Sequence, residues 1–194
     1  AGSYSESPLP DYAEDNLKII KGEKFTETSF PKYMSVPTFQ ADHIKYDKDS
    51  DMTCSVSRLD VKGRCIGGCI DVLKDLIGTP YDGTKDFIKR YRDDHFIWYF
   101  DNFSLSAEVF YRTLLQMKYA GWFEGTEAVI VGRTLFESSD TGMTYEDATR
   151  MALGNIPVIN RADIGHTVPH MTMINGAMMH LSYRNAKMKV TFSL

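Results

Sequence analysis

Phe96-Ile97-Trp98-Tyr99-Phe100 is an unbroken apolar run of aromatic and β-branched residues that ends in Asp101. Such a run without polar alternation fits a strand covered on both faces, as in the middle of a layered sheet. Ala128-Val129-Ile130-Val131-Gly132 repeats the pattern. Between the two, Phe103, Ala107, Phe110, Leu114, Met117 and Gly121 recur at steps of four and three, which places them on one helical stripe. Ser104 or Ser106 can cap that helix, Glu108 suits its first turn, and Gly121 is a natural stop. Tyr145 to Leu153 reads as a short helix, and Ile156-Pro157-Val158-Ile159 as a third strand. The middle of the chain is therefore strand, helix, strand, helix, strand, the pattern of an α/β protein.

The flanks read differently. Residues 1–60 are polar and punctuated by Pro8, Pro10, Pro31 and Pro37. A short helix is expected from Asp11 to Lys21, stopped by Gly22, a strand within Lys32 to Phe39, and a solvated loop over Asp42 to Asp51. Residues 1–55 are thus expected to form an extended arm with few long-range contacts. Gly67-Gly68 is a turn signal before Ile70, Val72, Leu73, Leu76 and Ile77, which fit one buried helix face. At the other end Met171 to Ile174, Met178 to Tyr183 and Met188 to Phe192 read as short antiparallel strands separated by Asn175-Gly176 and Asn185. The sheet system is expected to be mixed.

Composition narrows the classes. The 194 residues suffice for one sizeable domain, and 43% hydrophobic content supports a core. A net charge of −4 and a pI near 5.7 argue against a nucleic-acid surface. No apolar run approaches the ~18–20 residues needed to cross a bilayer, and no secretory signal is visible. The chain opens Ala1-Gly2-Ser3 rather than on Met, which is expected for a processed end or a fragment. Cys54, Cys65 and Cys69 are too few for a disulfide framework. Cys65 and Cys69 lack two further partners at ligand spacing, so no metal is expected. Trp98, Trp122 and the methionines of the tail read as core.

Two features could carry chemistry. Gly165-His166-Thr167-Val168-Pro169 places a histidine after a flexible glycine and before a stiffening proline. Asp101 ends a buried strand, a usual position for functional side chains in α/β folds. An imidazole base needs an acceptor on its second nitrogen, and a carboxylate supplies one. The plain alternatives are a loop histidine with ordinary hydrogen bonds and a helix-capping aspartate. No serine lies in a Gly-x-Ser-x-Gly context, so a nucleophile is not evident.

Four pieces carry a resemblance. They are Gly67-Gly68-Cys69-Ile70-Asp71-Val72-Leu73 with Leu76-Ile77-Gly78-Thr79-Pro80-Tyr81-Asp82; Trp98-Tyr99-Phe100-Asp101; Leu115 through Phe123 continuing to Val131-Gly132-Arg133; and Ile156-Pro157-Val158 through Gly165-His166-Thr167-Val168-Pro169. In that order, over roughly residues 55–185, they resemble the C-terminal domain of the LD-carboxypeptidases, serine peptidases that include the microcin-immunity carboxypeptidases. The resemblance implies a swivelling-type β/β/α domain with mixed sheets over residues 56–194, preceded by an extended linker-like arm over 1–55. The family's catalytic histidine falls on His166. Its glutamate falls on Asp101, a departure. No site carries over onto residues 1–55.

The resemblance further implies a cytoplasmic serine carboxypeptidase that cleaves an amide next to a free carboxylate. A murein L,D-tetrapeptide or a peptide-nucleotide antibiotic would be its substrate. The nucleophilic serine is expected on a separate N-terminal domain, so this chain alone is expected to be inactive. No cofactor, nucleic acid or membrane is expected as a partner, whereas a homodimer is possible. The competing reading is a non-catalytic binding or dimerisation domain, favoured by Asp101 in the glutamate's place and by the missing serine.

Overall fold

A computed structural model of the chain describes residues 8–194. Among these described residues, ten strands and five α-helices are formed. The strands are β1 (Thr26–Thr28), β2 (Lys32–Tyr33), β3 (Lys48–Asp49), β4 (Thr53–Cys54), β5 (Arg58–Cys69), β6 (Phe96–Asp101), β7 (Thr126–Gly132), β8 (Val158–Ala162), β9 (Met178–Arg184) and β10 (Lys187–Ser193). The helices are α1 (Asp11–Ile20), α2 (Ile70–Leu73), α3 (Thr84–Arg90), α4 (Ala107–Tyr119) and α5 (Tyr145–Leu153). Eight strands make one sheet in the order β1-β10-β9-β5-β6-β7-β8-β4. β5, β6, β7 and β8 run parallel, and the strands outside them are antiparallel. The fold is mixed α/β, as the segment pattern predicts.

β6 and β7 are covered on both faces. Phe96, Trp98 and Phe100 of β6, with Val129 and Val131 of β7, pack against Phe110, Leu114 and Met117 of α4 and Ala148 and Ala152 of α5. Ile97, Ala128 and Ile130 face the opposite layer, with Leu181, Met188, Val190 and Phe192. Trp98 stacks on Trp122 at 5.6 Å between ring centroids, and Met171, Met179 and Met188 are buried, so these residues are core. α4 is capped by Ser106, whose Oγ accepts from the Val109 N–H, and the chain turns at Gly121 with φ of 84°.

Several sequence expectations need correction. Gly67-Gly68 is no turn: β5 runs through it to Cys69, and a Cβ at Gly67 would lie 1.9 Å from the Tyr99 carbonyl of the neighbouring strand. Glycine is needed there for close backbone approach. The helix expected over 70–77 is a single α-turn followed by a 3-10 turn over Lys74–Leu76, with Val72 exposed. The third strand begins at Val158 rather than Ile156, because Pro157 has no N–H for the ladder. Within 32–39 only Lys32–Tyr33 pairs, before Pro37 breaks the run. Met171 to Ile174 is irregular, since its donors are used elsewhere: the Met171 N–H goes to Asp163 O and the Thr172 N–H to Glu27. Asn175-Gly176 joins no hairpin. The Asn175 side chain bonds both the N–H and the C=O of Gly67, imitating a strand partner. The β9–β10 hairpin turns at Asn185-Ala186, both at positive φ.

The arm was expected to make few long-range contacts, and its described residues make many. β1 pairs with β10 and β4 with β8, so residues 26–28 and 53–54 form the two margins of the main sheet. Met52 enters the core, and Tyr12, Ala13 and Met34 form a smaller cluster with Val168. Hydrophobic residues at Tyr12, Ala13, Met34 and Met52 give this proline-punctuated segment enough apolar surface to anchor it. Residues 1–7 lie outside the described part.

Candidate active site

The parallel strands β5, β6 and β7 end on one side of the sheet, where α/β folds present functional groups. Asp101 is the last residue of β6, paired in register with Cys69 at the end of β5. Its side chain is 9% exposed. The loop that follows β8 passes over this end and carries His166. The imidazole Nδ1 of His166 is paired with Asp101 Oδ2, and the His166 backbone N–H donates to Oδ1 at 3.3 Å. The structure thus brings together the two residues singled out from the sequence. Asp101 is no helix cap, since Ser106 fills that role.

The pairing depends on Gly165. This residue has φ of 91°, and a Cβ on it would lie 1.9 Å from Asp101 Oδ1. Only a residue without a side chain lets the loop cross the carboxylate so closely. With the Nδ1 proton directed at Asp101, Nε2 is left as the acceptor, and the His166 side chain is 45% exposed. Phe103 lies edge-on to the imidazole at 4.9 Å between centroids and limits its tilt.

A second carboxylate supports this arrangement. Asp71 accepts from the backbone N–H groups of Phe103 at 2.9 Å and Ser104 at 3.0 Å, fixing the turn after Asp101. Burial pushes the Asp101 carboxyl above its ordinary value, and the nearby His166 pulls it back. The Asp71 charge adds a smaller upward push. Cys69 is free, half-buried and hydrogen-bonded toward Asp71 at 3.7 Å. Burial and both aspartates raise its thiol, which disfavours a reactive thiolate.

The other histidines have other settings. His95 pairs with Glu127 and His180 with Asp60 on the surface, His170 is packed edge-on against Tyr12, and His43 is exposed. Among the described residues no group of three or more His, Cys, Asp or Glu side chains could hold a metal ion, and no helix is long and apolar enough to cross a membrane.

Beneath the His166 loop lies a buried ion pair that the motifs did not reveal. Arg133, 3% exposed, pairs with the fully buried Asp163. It also reaches Asp51 at 3.1 Å and Ser50 Oγ at 3.0 Å, and its guanidinium lies 4.2 Å from the Tyr33 ring centre. The sequence signal was Gly132-Arg133 at the end of an apolar strand, where a charge must find a partner.

The sequence model of the LD-carboxypeptidase C-terminal domain matches residues 62–181. The chain belongs to this family. Solved structures agree with the LD-carboxypeptidase fold. The microcin C7 self-immunity protein MccF in its wild-type apo state superposes with a TM-score of 0.72 at 20% identity, covering 100% of this chain and 58% of that one. The muramoyltetrapeptide carboxypeptidase of Oxalobacter formigenes gives 0.68 at 17% identity, covering 99% and 58%. An MccF-like protein of Streptococcus pneumoniae, solved with AMP, gives 0.65 at 18% identity, covering 95% and 58%. This LD-carboxypeptidase-family chain therefore spans a little over half the length of these relatives. No curated protein matches it.

Proposed function

We propose that this chain supplies the base and its orienting carboxylate to a serine carboxypeptidase, with the nucleophile on an N-terminal domain. The observation that carries the reading is the Asp101–His166 pair, which leaves an exposed imidazole Nε2 at the end of the parallel strands. In such a site Nε2 takes the serine proton as the hydroxyl attacks the carbonyl. Asp101 holds the ring and stabilises the imidazolium, and the proton then passes to the leaving amine. Hydrolysis of the acyl-enzyme repeats the sequence with water. Aspartate is one methylene shorter than the family's glutamate. The close crossing at Gly165 brings the histidine to it.

The relatives suggest the substrate class. One is a muramoyltetrapeptide carboxypeptidase, and MccF has been solved with glutamyl sulfamoyl guanosine and with aspartyl sulfamoyl adenosine. On this reading the enzyme cleaves an amide beside a free carboxylate, in a murein L,D-tetrapeptide or a peptide-nucleotide antibiotic, within the cytoplasm. On this reading residues 1–55 join the serine-bearing domain to residues 56–194 while their described part packs on those residues through β1, β4 and Met52, and a homodimer is a candidate assembly. The test is release of terminal D-alanine from a murein tetrapeptide by this chain combined with the serine-bearing domain. Turnover that disappears in His166→Ala supports the reading. A combined protein without turnover, in which the chain only self-associates, favours the non-catalytic binding or dimerisation domain instead.

A further inference from the structure

The loop that carries His166 has no helix or strand between Asp163 and Ala177. One distant segment holds three of its backbone groups and the Asp163 side chain. Asn16 Nδ2 donates to His170 O at 3.1 Å, the Met34 N–H to Val168 O at 2.8 Å, and the Phe30 N–H to Asp163 Oδ2 at 2.7 Å. Glu27 Oε2 accepts from the Thr172 N–H at 2.7 Å. These four bonds bracket His166 on its C-terminal side and at the loop's start.

We propose that residues 16–34 clamp the His166 loop and that Glu27 is a positioning residue for the imidazole, acting through the Thr172 backbone. The name given to what His166 does rests on the function proposed above, whereas the clamp itself does not. Glu27 is the distinctive member. The bonds of Phe30 and Met34 use backbone donors, which any side chain would preserve. Glu27 spends a carboxylate, 5% exposed, on a single backbone N–H. The charged groups facing it are Lys24 and, more distantly, Asp15, while β1 fixes its backbone opposite Val190. Burial pushes its pKa up to about 7, against its charge. A neutral amide could make the same bond without that penalty. The carboxylate, once ionised, makes the stronger bond to the Thr172 N–H, although its burial in that form costs the fold stability.

The test is hydrogen exchange followed by NMR on the whole chain at pH 8, where Glu27 is ionised. Glu27→Ala is expected to speed exchange of the His166 Nδ1–H and of the amides from Val168 to Ile174 by about tenfold, as a lost local bond opens a local segment. Amides of β6 and β7 should stay at wild-type rates. Glu27→Gln should stay much closer to wild type, because the amide oxygen still accepts. Unchanged exchange at His166 in Glu27→Ala would overturn the proposal, as would an equal rise across β6 and β7, which reports only lost stability. If Glu27→Ala does not fold, Asn16→Ala serves in its place: a rise confined to the loop supports the clamp, and a uniform or absent rise refutes it. Activity is not the readout: no turnover after combination with the serine-bearing domain, alongside a loop-confined exchange response, would sink the proposed function and leave the clamp standing.

Discussion

Gly165 and Asp101 cross so tightly that a methyl group on the glycine would lie 1.9 Å from the carboxylate oxygen. The side chain that orients the imidazole is thereby held in place by the absence of a side chain next to that imidazole. Gly165→Ala should displace Asp101, break its bond to Nδ1 and strain a backbone at φ of 91°. The expected cost is about 3 kcal/mol. Urea denaturation would measure it, and loss of the hydrogen-bonded His166 Nδ1–H resonance would show that the pair has opened. A variant with wild-type stability and an intact signal would contradict the crossing.

Glu27 should make stability depend on pH. Its folded pKa of about 7 lies above the ordinary 4.5, so the folded protein holds this proton more tightly than the unfolded chain does. Its contribution is therefore most favourable below about pH 4.5 and is lost as pH rises through 7. Glu27→Gln removes this dependence. The variant should match wild type near pH 4 and exceed it by roughly 3 kcal/mol at pH 8, the equivalent of the pKa rise. Denaturant titrations at both pH values would check the crossover, and a difference that does not change with pH would count against it.

Arg133 and Asp163 should behave as a unit. Arg133→Met leaves the fully buried Asp163 without its cation, at an expected cost of about 3–5 kcal/mol. Arg133→Lys should recover only part of this, since an ammonium cannot span Asp163, Asp51 and Ser50 as the fork does. Adding Asp163→Asn to Arg133→Met should recover stability. A double-mutant cycle in urea would test the coupling.

The chain by itself is expected to release no D-alanine from a murein tetrapeptide at a triad-dependent rate, because an imidazole and a carboxylate have no group to acylate. Serine peptidases stripped of their triad keep on the order of 10³-fold catalysis from binding and the oxyanion hole. Combined with the serine-bearing domain, Asp101→Asn should lower kcat on the order of 10⁴-fold by favouring the wrong tautomer, with little change in KM. Turnover by the isolated chain that vanishes in His166→Ala would locate the nucleophile within these 194 residues.

How much the sequence revealed depended on how far each interaction reached. β6, β7 and α4 were legible because burial on two faces, or on one stripe, is written into adjacent residues. His166 and Asp101 stood out through their motifs, but 65 positions separate them, and only the fold shows that they touch. Glu27 gave no signal: its partner is 145 positions away and is a backbone N–H, which leaves no trace in residue type. The same holds for Asn175, whose amide stands in for a strand, and for the short pairings of β1 and β4. Gly67-Gly68 misled because glycine marks both a turn and a close backbone approach, and local pattern cannot separate the two.

The margins of the main sheet have a consequence for how this polypeptide can be cut. β1 and β4, two or three residues long, cover the outer edges of β10 and β8. A piece beginning at residue 56 would keep nearly all of the core but bare both flanks, including the seven-residue β10 with every second backbone pair open to another chain. Such a piece would be adhesive rather than simply less stable. In this protein the polar leading segment acts as an insulator, keeping a sheet that could lengthen itself with foreign strands from doing so.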